Sequence, residues 1–283
     1  MTRYWLQFLI GAWCLPALAC EPAKDASRIA VAGGSITEIL YFLGEESRII
    51  ATDSTSTYPA AAKLFPSVGY VRGLSAEGIL SLKPSLVLGE HDMGPEIVIK
   101  QLQSVRVDIQ RIPETHSPDG IVNKILCVAA VLGQSEYAQA LVSKKLGQQV
   151  RLLKVAAERA PINGKFVIIL TVRDGSPIVA GLQTSGHGLL QMAGADNIFS
   201  DVEGWKPVSL EAIAALNPDF IIVAGRSNAP QAAIETVKKN PAIGITNAAK
   251  KNRIRMIDSM ALLGFGPRTL DAALELISLA STD

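Results

Sequence analysis

The chain has 283 residues, of which 48% are hydrophobic, and its 27 lysines and arginines nearly balance its 26 aspartates and glutamates. This near-neutral charge argues against nucleic-acid binding, which depends on a basic surface. The length and the apolar fraction allow a large buried core and two domains.

A secretory signal peptide is predicted at the N-terminus. Arg3 precedes an apolar run over residues 4–15, and Ala17-Leu18-Ala19 supplies the small residues of a cleavage site. The run is too short for a permanent membrane anchor. We expect residues 1–19 to be removed after Ala19 and a periplasmic protein to begin at Cys20. A cysteine there also suggests a lipoprotein, although Ala17 stands where the acylation box usually has leucine, so acylation of Cys20 is the alternative.

The two cysteines that follow the predicted cleavage site are Cys20 and Cys127. One lies at the start of the mature chain and the other within a helical pattern, so this pair gives no argument for a disulfide framework. The pattern favours Cys127 as a small buried apolar residue.

The first structural unit is a short strand, a glycine turn and a helix. Residues 28–32 predict a strand whose last four residues are apolar, Gly33 and Gly34 follow, and a helical pattern then continues to Gly44. The glycine pair lacks the lysine and the spacing of a phosphate-binding loop, so a tight turn is the preferred interpretation. Residues 49–52 predict the second strand.

A degenerate internal repeat links residues 74–89 with residues 208–225. A serine, a glutamate, an isoleucine, a leucine and a proline recur at identical spacing, as Ser75, Glu77, Ile79, Leu82 and Pro84 in one copy and Ser209, Glu211, Ile213, Leu216 and Pro218 in the other. The repeat predicts two similar α/β lobes.

The two lobes differ in one loop. Residues 44–69 of the first lobe span 25 positions between glycines, whereas residues 194–204 of the second span 10. The roughly 15 extra residues surround Tyr58, and the following Pro59 favours an extended backbone that presents the phenol outward. A binding loop is one interpretation. The other is an amphipathic tyrosine that rests its ring on the core.

Residues 118–160 keep a roughly helical apolar spacing without an internal proline, which predicts one long, nearly continuous helix with a bend at Gly133. The predicted fold class is therefore α/β, with an N-terminal lobe over residues 20–117, the connecting helix, and a C-terminal lobe over residues 161–283. Each lobe is expected to hold a mostly parallel sheet with flanking helices, and the ligand cleft lies between the lobes. Arg226 follows a strand predicted at residues 220–224, where such folds bind ligands.

The polar residues give no support for an enzyme, because no nucleophile, base and orienting group share a recognisable pattern. His91, His116 and His187 stand in separate segments. Three unrelated surface histidines are therefore a better interpretation than a zinc site built by all three. His187 is at a predicted helix start in the second lobe and can face the cleft.

Five segments carry a resemblance to a known family: AGGSITEILYFLG, TYP followed by GYVRGLSAEGILSLKPSLVL, EGWKPVSLEAI, NPDFIIVAGR and LLGFGPRT. Together they resemble the periplasmic haem-binding proteins of bacterial haem ABC importers. These belong to the helix-linked class of substrate-binding proteins that also serves cobalamin and siderophores. The resemblance covers essentially the whole mature chain.

The resemblance implies that the protein captures haem b (hemin) as its transported ligand, with Tyr58 as the axial ligand of the iron. A phenolate suits ferric iron, but tyrosine ionises only near pH 10 in water, so a nearby cation is needed to favour the anion. Arg226 matches the family arginine and is our candidate. Lys63 and Arg72 either pair with the haem propionates or remain solvated loop charges.

The same resemblance assigns Glu77 and Glu211, at matching repeat positions, to docking on an inner-membrane ABC permease with its ATPase; stabilisation by the helix dipole alone is the other interpretation. His187 is a further candidate for haem support, and Tyr70 is expected to pack against its own lobe. The protein is expected to act as a monomer. A cobalamin or ferric-siderophore binding protein, and less so an exported α/β enzyme, remain the alternatives.

Overall fold

A computed structural model describes residues 20–158, 162–173, 175–225, 234–235 and 237–281. The predicted signal peptide, residues 1–19, and Arg226 lie outside the described residues.

The N-terminal lobe is built on a parallel sheet of four strands in the order β2-β1-β5-β6. Its elements in chain order are β1 (Ile29–Ala32), α1 (Gly34–Leu43), β2 (Ile49–Thr52), β3 (Gly69–Tyr70), β4 (Gly73–Leu74), α2 (Ala76–Ser81), β5 (Leu86–Glu90), α3 (Glu96–Ser104) and β6 (Asp108–Ile112). Short 3₁₀ turns occupy Glu46–Arg48 and Ala60–Leu64, and β3 pairs with β4 as a small antiparallel hairpin. The predicted strands and the first helix are confirmed.

The connecting region is helical, but it is not one helix. α4 (Pro118–Val131) and α5 (Ser135–Glu158) are separated by a turn in which Gly133 has φ +72°, and the two helices pack against each other. The prediction of a nearly continuous helix is wrong at this point. Glycine adopts positive φ without a steric penalty, so Gly133 permits a reversal rather than the expected bend.

The C-terminal lobe contains β7 (Ile162–Arg173), β8 (Ser176–Ala180), α6 (Ser185–Ala193), β9 (Ala195–Asn197), β10 (Trp205–Pro207), α7 (Leu210–Leu216), β11 (Phe220–Gly225), α8 (Pro241–Gly244), α9 (Asn247–Lys250), β12 (Ile254–Asp258), α10 (Ser259–Leu263) and α11 (Pro267–Ser281). Its sheet order is β10-β8-β7-β11-β12, with β9 parallel to β7. The β7, β11 and β12 pairings are parallel, whereas β8 and β10 are antiparallel, so this sheet is more mixed than its counterpart.

A single apolar core continues from one lobe to the other. Alternate residues of β1 face opposite sides of the sheet: Ile29 and Val31 enter this shared core, while Ala30 and Ala32 enter a separate cluster with α2 and α3. The same alternation in β11 sends Phe220 to the shared core. The helices α1, α4, α5, α6 and α11 contribute to the shared core, so it joins both sheets through the connecting helices.

Cys20 and Cys127 form a disulfide, with Cα atoms 5.3 Å apart. The N-terminal segment continues along the first lobe, where Ala23 N donates to Val131 O at 2.9 Å. Cys127 is buried as predicted, but the interpretation of it as an unpaired apolar residue is wrong. The error arose because the two cysteines are 107 residues apart and only the packing of the N-terminal segment on α4 brings them together.

Across the parts of the chain that are described, no helix combines the length and apolarity needed to span a membrane.

Candidate functional site

The Tyr58 loop is fixed to the first turn of the N-terminal lobe. Asp53, directly after β2, accepts hydrogen bonds from Gly33 N at 3.0 Å, from Ser56 Oγ at 2.9 Å and from Thr55 Oγ1 at 2.7 Å. Thr55 Oγ1 in turn lies 2.9 Å from Gly34 N. The buried carboxylate therefore organises the loop before the chain reaches Tyr58.

Tyr58 itself is 48% exposed and precedes a cis peptide bond to Pro59. Its ring does not enter any of the buried apolar clusters, in contrast to the amphipathic interpretation. The guanidinium carbon of Arg268 lies 3.9 Å from the ring centroid. This is cation–π geometry, so the side chain expected to bind ligand rests on a positive charge.

Arg268 joins the two lobes. Its Nη2 donates to Glu38 Oε1 at 2.5 Å and to Asp258 Oδ1 at 3.0 Å, and its Nε donates to Glu38 Oε2 at 3.0 Å. Glu38 belongs to α1 of the first lobe, while Asp258 ends β12 of the second. Burial alone would lower the pKa of Arg268, but the bonds to Glu38 and Asp258 raise it overall. The cation over Tyr58 therefore keeps its charge.

Glu38 is 6% exposed, and burial raises its pKa although Arg268 opposes the shift. Sequence reasoning missed Arg268, which stands in the LLGFGPRT segment. A signal was present, since an arginine in the first turn of a helix faces the unfavourable end of the helix dipole. Such a position indicates that a specific acidic partner holds the side chain.

A second polar connection between the lobes centres on Lys124 of α4, which is 1% exposed. Its Nζ donates to Ser35 Oγ at 2.7 Å, to Glu114 Oε2 at 2.5 Å and to Gly264 O at 2.9 Å. Burial alone would raise the pKa of Glu114, but hydrogen bonds and charge from His116 and Lys124 bring it to about 2. Glu90 accepts from Ser35 Oγ at 2.6 Å, and burial raises its pKa.

Two of the three histidines come together at this junction. His116 packs on Phe265 of the second lobe with ring centroids 4.4 Å apart and the ring planes tilted by 39°, and a Cβ added at Gly188 would lie 2.4 Å from His116 Cβ. His187, one residue earlier in α6, has its pKa lowered by burial and by the charge of His116. Within the described residues no three metal-ligating side chains cluster, and His91 lines a different cavity.

That cavity, of about 360 Å³, lies beside β5 and is lined by Arg72, His91, Asp92, Met93, Gly94, Pro95, Glu96 and Arg111. Arg72 Nε donates to Asp92 Oδ2 at 2.7 Å, and its Nη1 donates to Tyr70 OH at 2.6 Å. Tyr70 is 46% exposed, and its ring and hydroxyl contact Arg72 of its own lobe. Lys63, at the end of a 3₁₀ turn, is also exposed.

The repeated glutamates occupy equivalent places. Glu77 lies in the first turn of α2 behind the N-cap Ser75, and Glu211 lies in the first turn of α7 behind the N-cap Ser209. Each serine Oγ accepts a backbone N–H three residues on, at 3.2 and 3.1 Å respectively. Both glutamates are exposed. The sequence repeat is therefore also a repeat of helix capping and of an outward carboxylate.

A family model described as periplasmic binding protein matches residues 29–261. The chain belongs to the periplasmic binding protein family. The match covers both sheets, the connecting helices and the Tyr58 loop. Proteins of this family bind substrates and are not enzymes.

Solved structures with the same fold include two haem-binding proteins. The periplasmic haem-binding protein RhuT from Roseiflexus sp. RS-1 is 30% identical with a TM-score of 0.81, covering 90% of this chain and 98% of that one. A periplasmic haem-binding protein from Pseudomonas aeruginosa is 34% identical with a TM-score of 0.78, covering 90% and 91% respectively. A vitamin B12-binding protein from Yersinia pestis (strain Pestoides F) is 29% identical over 220 residues, covering 76% of this chain and 75% of that protein.

These relatives place the periplasmic binding protein described here in the helix-linked class predicted from its sequence. It is an exported substrate-binding protein of an ABC importer, and its partner is the permease of that importer.

Proposed function

We propose that this periplasmic binding protein captures ferric haem in the cleft between its lobes and delivers it to an inner-membrane ABC permease. Tyr58 is the proposed axial ligand of the iron. The observation that carries the proposal is the half-exposed phenol of Tyr58 on the guanidinium of Arg268.

The chemistry of this pair fits ferric haem. A phenolate is a hard anionic ligand used for haem iron in other proteins. Arg268 places a positive charge on the face of the Tyr58 ring, and it is held in place by Glu38 and Asp258 rather than left mobile. Arg226, from the predicted family match, is proposed as a second supporting cation.

Further residues are proposed to contact the ligand or the permease. Lys63 and Arg72 are candidates for the haem propionates, and His187 is a candidate for further support of the ligand. Glu77 and Glu211 are the proposed docking groups for the permease. Their exposure and their equivalent positions support a role away from the ligand.

The identity between this chain and the vitamin B12-binding protein makes cobalamin the second candidate ligand. The half-exposed phenol of Tyr58 favours haem, because a tyrosine oxygen is a known axial ligand of haem iron.

Titration of the purified protein with hemin tests the proposal. We expect a Soret band and a tyrosinate-to-iron charge-transfer band in the parent. Tyr58→Phe keeps the ring but removes the ligand oxygen. Because loss of groups behind metal ligands already costs about 10–100-fold in affinity, loss of the ligand itself is expected to cost at least about 100-fold.

Tyr70→Phe is the matched control, because Tyr70 is 46% exposed and lies in the same segment. This variant is expected to keep the parent spectrum. An unchanged spectrum in Tyr58→Phe would contradict the assignment of Tyr58 as the axial ligand. Tighter binding of cyanocobalamin than of hemin would contradict haem as the cargo and favour cobalamin.

A further inference from the structure

The side-chain amide of Asn197 has only one orientation that satisfies its surroundings. Asn197 ends β9 and is 3% exposed. Its Oδ1 accepts from Phe199 N at 3.1 Å, and its Nδ2 donates to Ala180 O at 3.0 Å. Reversing the amide would set an oxygen against the carbonyl and an NH₂ against the N–H. The two backbone groups therefore fix which end of the amide is the donor.

The second hydrogen of Asn197 Nδ2 is directed at His187, whose Nδ1 lies 3.1 Å away. Because the amide nitrogen can only donate, Nδ1 must accept. The backbone of His187 is also fixed, since His187 N donates to the N-cap Thr184 Oγ1 at 3.1 Å. A neutral imidazole that accepts at Nδ1 carries its proton on Nε2.

The neutral form is favoured at this position. Burial and the charge of His116 lower the pKa of His187. The first turn of α6 adds the positive end of a helix dipole, which also disfavours an imidazolium. The named neighbours of His187 are Asn197 of β9, His116 of the loop after β6 and the N-cap Thr184. None of these three side chains is an anion.

We infer that His187 presents an Nε2–H donor to the cleft and takes an oxygen acceptor of the ligand rather than binding a metal. An imidazole that binds a metal through Nε2 donates its Nδ1–H to an acceptor behind it. Asn197 offers a donor at that place. The inference rests on the proposed function only for the identity of the ligand, and it removes His187 as an alternative to Tyr58 for the axial position.

Imidazole ¹⁵N–¹H correlation spectra of the ligand-free protein test the tautomer without any haem. The chain has three histidines, so the signal that disappears in His187→Gln belongs to His187. We expect the Nε2–H form of His187 at neutral pH. The Nδ1–H form would overturn the inference, whether or not the protein binds haem.

Asn197→Asp tests the positioning role of Asn197. A carboxylate would accept from Nδ1, move the proton there and free Nε2 for the iron. In the hemin-loaded protein we expect a shift from a high-spin towards a low-spin ferric spectrum. The double variant Asn197→Asp with His187→Ala is the control, and it should keep the spin state of the parent. A low-spin shift that persists in the double variant would contradict the mechanism.

His187→Ala in the parent background covers the case in which Asn197→Asp prevents folding. The axial spectrum should stay unchanged while the dissociation constant of hemin rises by about tenfold, the effect of one hydrogen bond. A loss with hemin but not with hemin dimethyl ester would assign the acceptor to an ionised propionate, and a comparable loss with both would assign it to an uncharged oxygen of the ligand. A changed axial spectrum, or unchanged affinity for both, would overturn the inference.

Discussion

The two copies of the repeat agree in their scaffold. Ile79 and Ile213 are both 0% exposed, and each lies in the short helix behind a capping serine. Lys83 and Asn217, both directly before the repeated prolines, share φ +49°. The same left-handed turn therefore leads into a central buried strand in each lobe, although only asparagine is a residue that commonly adopts it.

The lobes differ where they border the cleft. After β2, the first lobe inserts the hydrogen-bonded loop that carries Tyr58, while the second lobe widens its sheet with β8 and β10. The cation under Tyr58 comes from the second lobe, at the start of α11. The shared scaffold thus holds a site to which each lobe adds different chemistry, and the polar connections between lobes align the two contributions.

The largest effect on the joint between the lobes is expected from Glu114→Gln, which leaves buried Lys124 without its carboxylate. Because the pKa of Glu114 falls from 4.5 to about 2, the contacts of its carboxylate with His116 and Lys124 together contribute about 3 kcal/mol to the free energy of unfolding. That contribution is complete above pH 4.5 and is lost as the pH falls towards 2. Urea denaturation at several pH values should show the gap between parent and variant closing in this window.

Glu136→Gln, at an exposed position in the first turn of α5, is the control and should change stability little at any pH. A gap between parent and Glu114→Gln that stays constant from pH 7 to pH 3 would show that proton linkage is not its cause.

Arg268→Gln is expected to lower the free energy of unfolding by about 2–3 kcal/mol, because the buried carboxylate of Glu38 loses its cation. Adding Glu38→Gln removes that uncompensated charge, so the double variant should be more stable than the single one. Thermal or urea unfolding of both measures the difference. Simple addition of two destabilising effects would refute this account of the bridge.

Charge reversal at the repeated glutamates tests whether both equivalent positions contribute to docking on the permease. Glu77→Lys and Glu211→Lys are each expected to slow permease-dependent hemin uptake about tenfold, as the loss of about 1.4 kcal/mol of charge complementarity implies. The hemin spectrum should not change. Glu136→Lys is the matched exposed helix-start control, and an equal defect there would remove the case for specific docking.

The smallest effect is expected at the rim of the first lobe. Arg72 is already engaged by Asp92 and Tyr70, and Lys63 is exposed, so Arg72→Ala and Lys63→Ala should each change hemin binding by less than about 1 kcal/mol. Equilibrium titration at two salt concentrations measures this. A loss above tenfold at either position would show that its contact with a propionate is stronger than an exposed ion pair.

Sequence patterns were sufficient for the elements with strong periodicity and for the repeat. The predicted glycine stop at Gly44, for example, is a left-handed helix cap, and Gly194 caps α6 in the same way. The short antiparallel strands β8 and β10 were not predicted, because three to five residues give little periodicity and their pairing depends on β7.

The polar joint was also beyond the sequence. Arg268 and Glu38 are 230 positions apart, and Lys124 sits in a helix whose other buried residues are apolar. An arginine at a helix start indicates an acidic partner but does not identify it, whereas Tyr58 could be selected because the extra loop and the following proline are local features.

The disulfide between Cys20 and Cys127 bears on how the protein is held in its compartment. A lipoprotein carries its diacylglycerol on the sulfur of the cysteine at the cleavage site, which here would be Cys20. One sulfur cannot hold both a thioether and a disulfide bond. In the disulfide-bonded form, the first residue of the expected mature chain is bonded to α4 and cannot carry a lipid. The bond that the Cys20 sulfur forms therefore determines whether the protein is tethered to a membrane or diffuses freely.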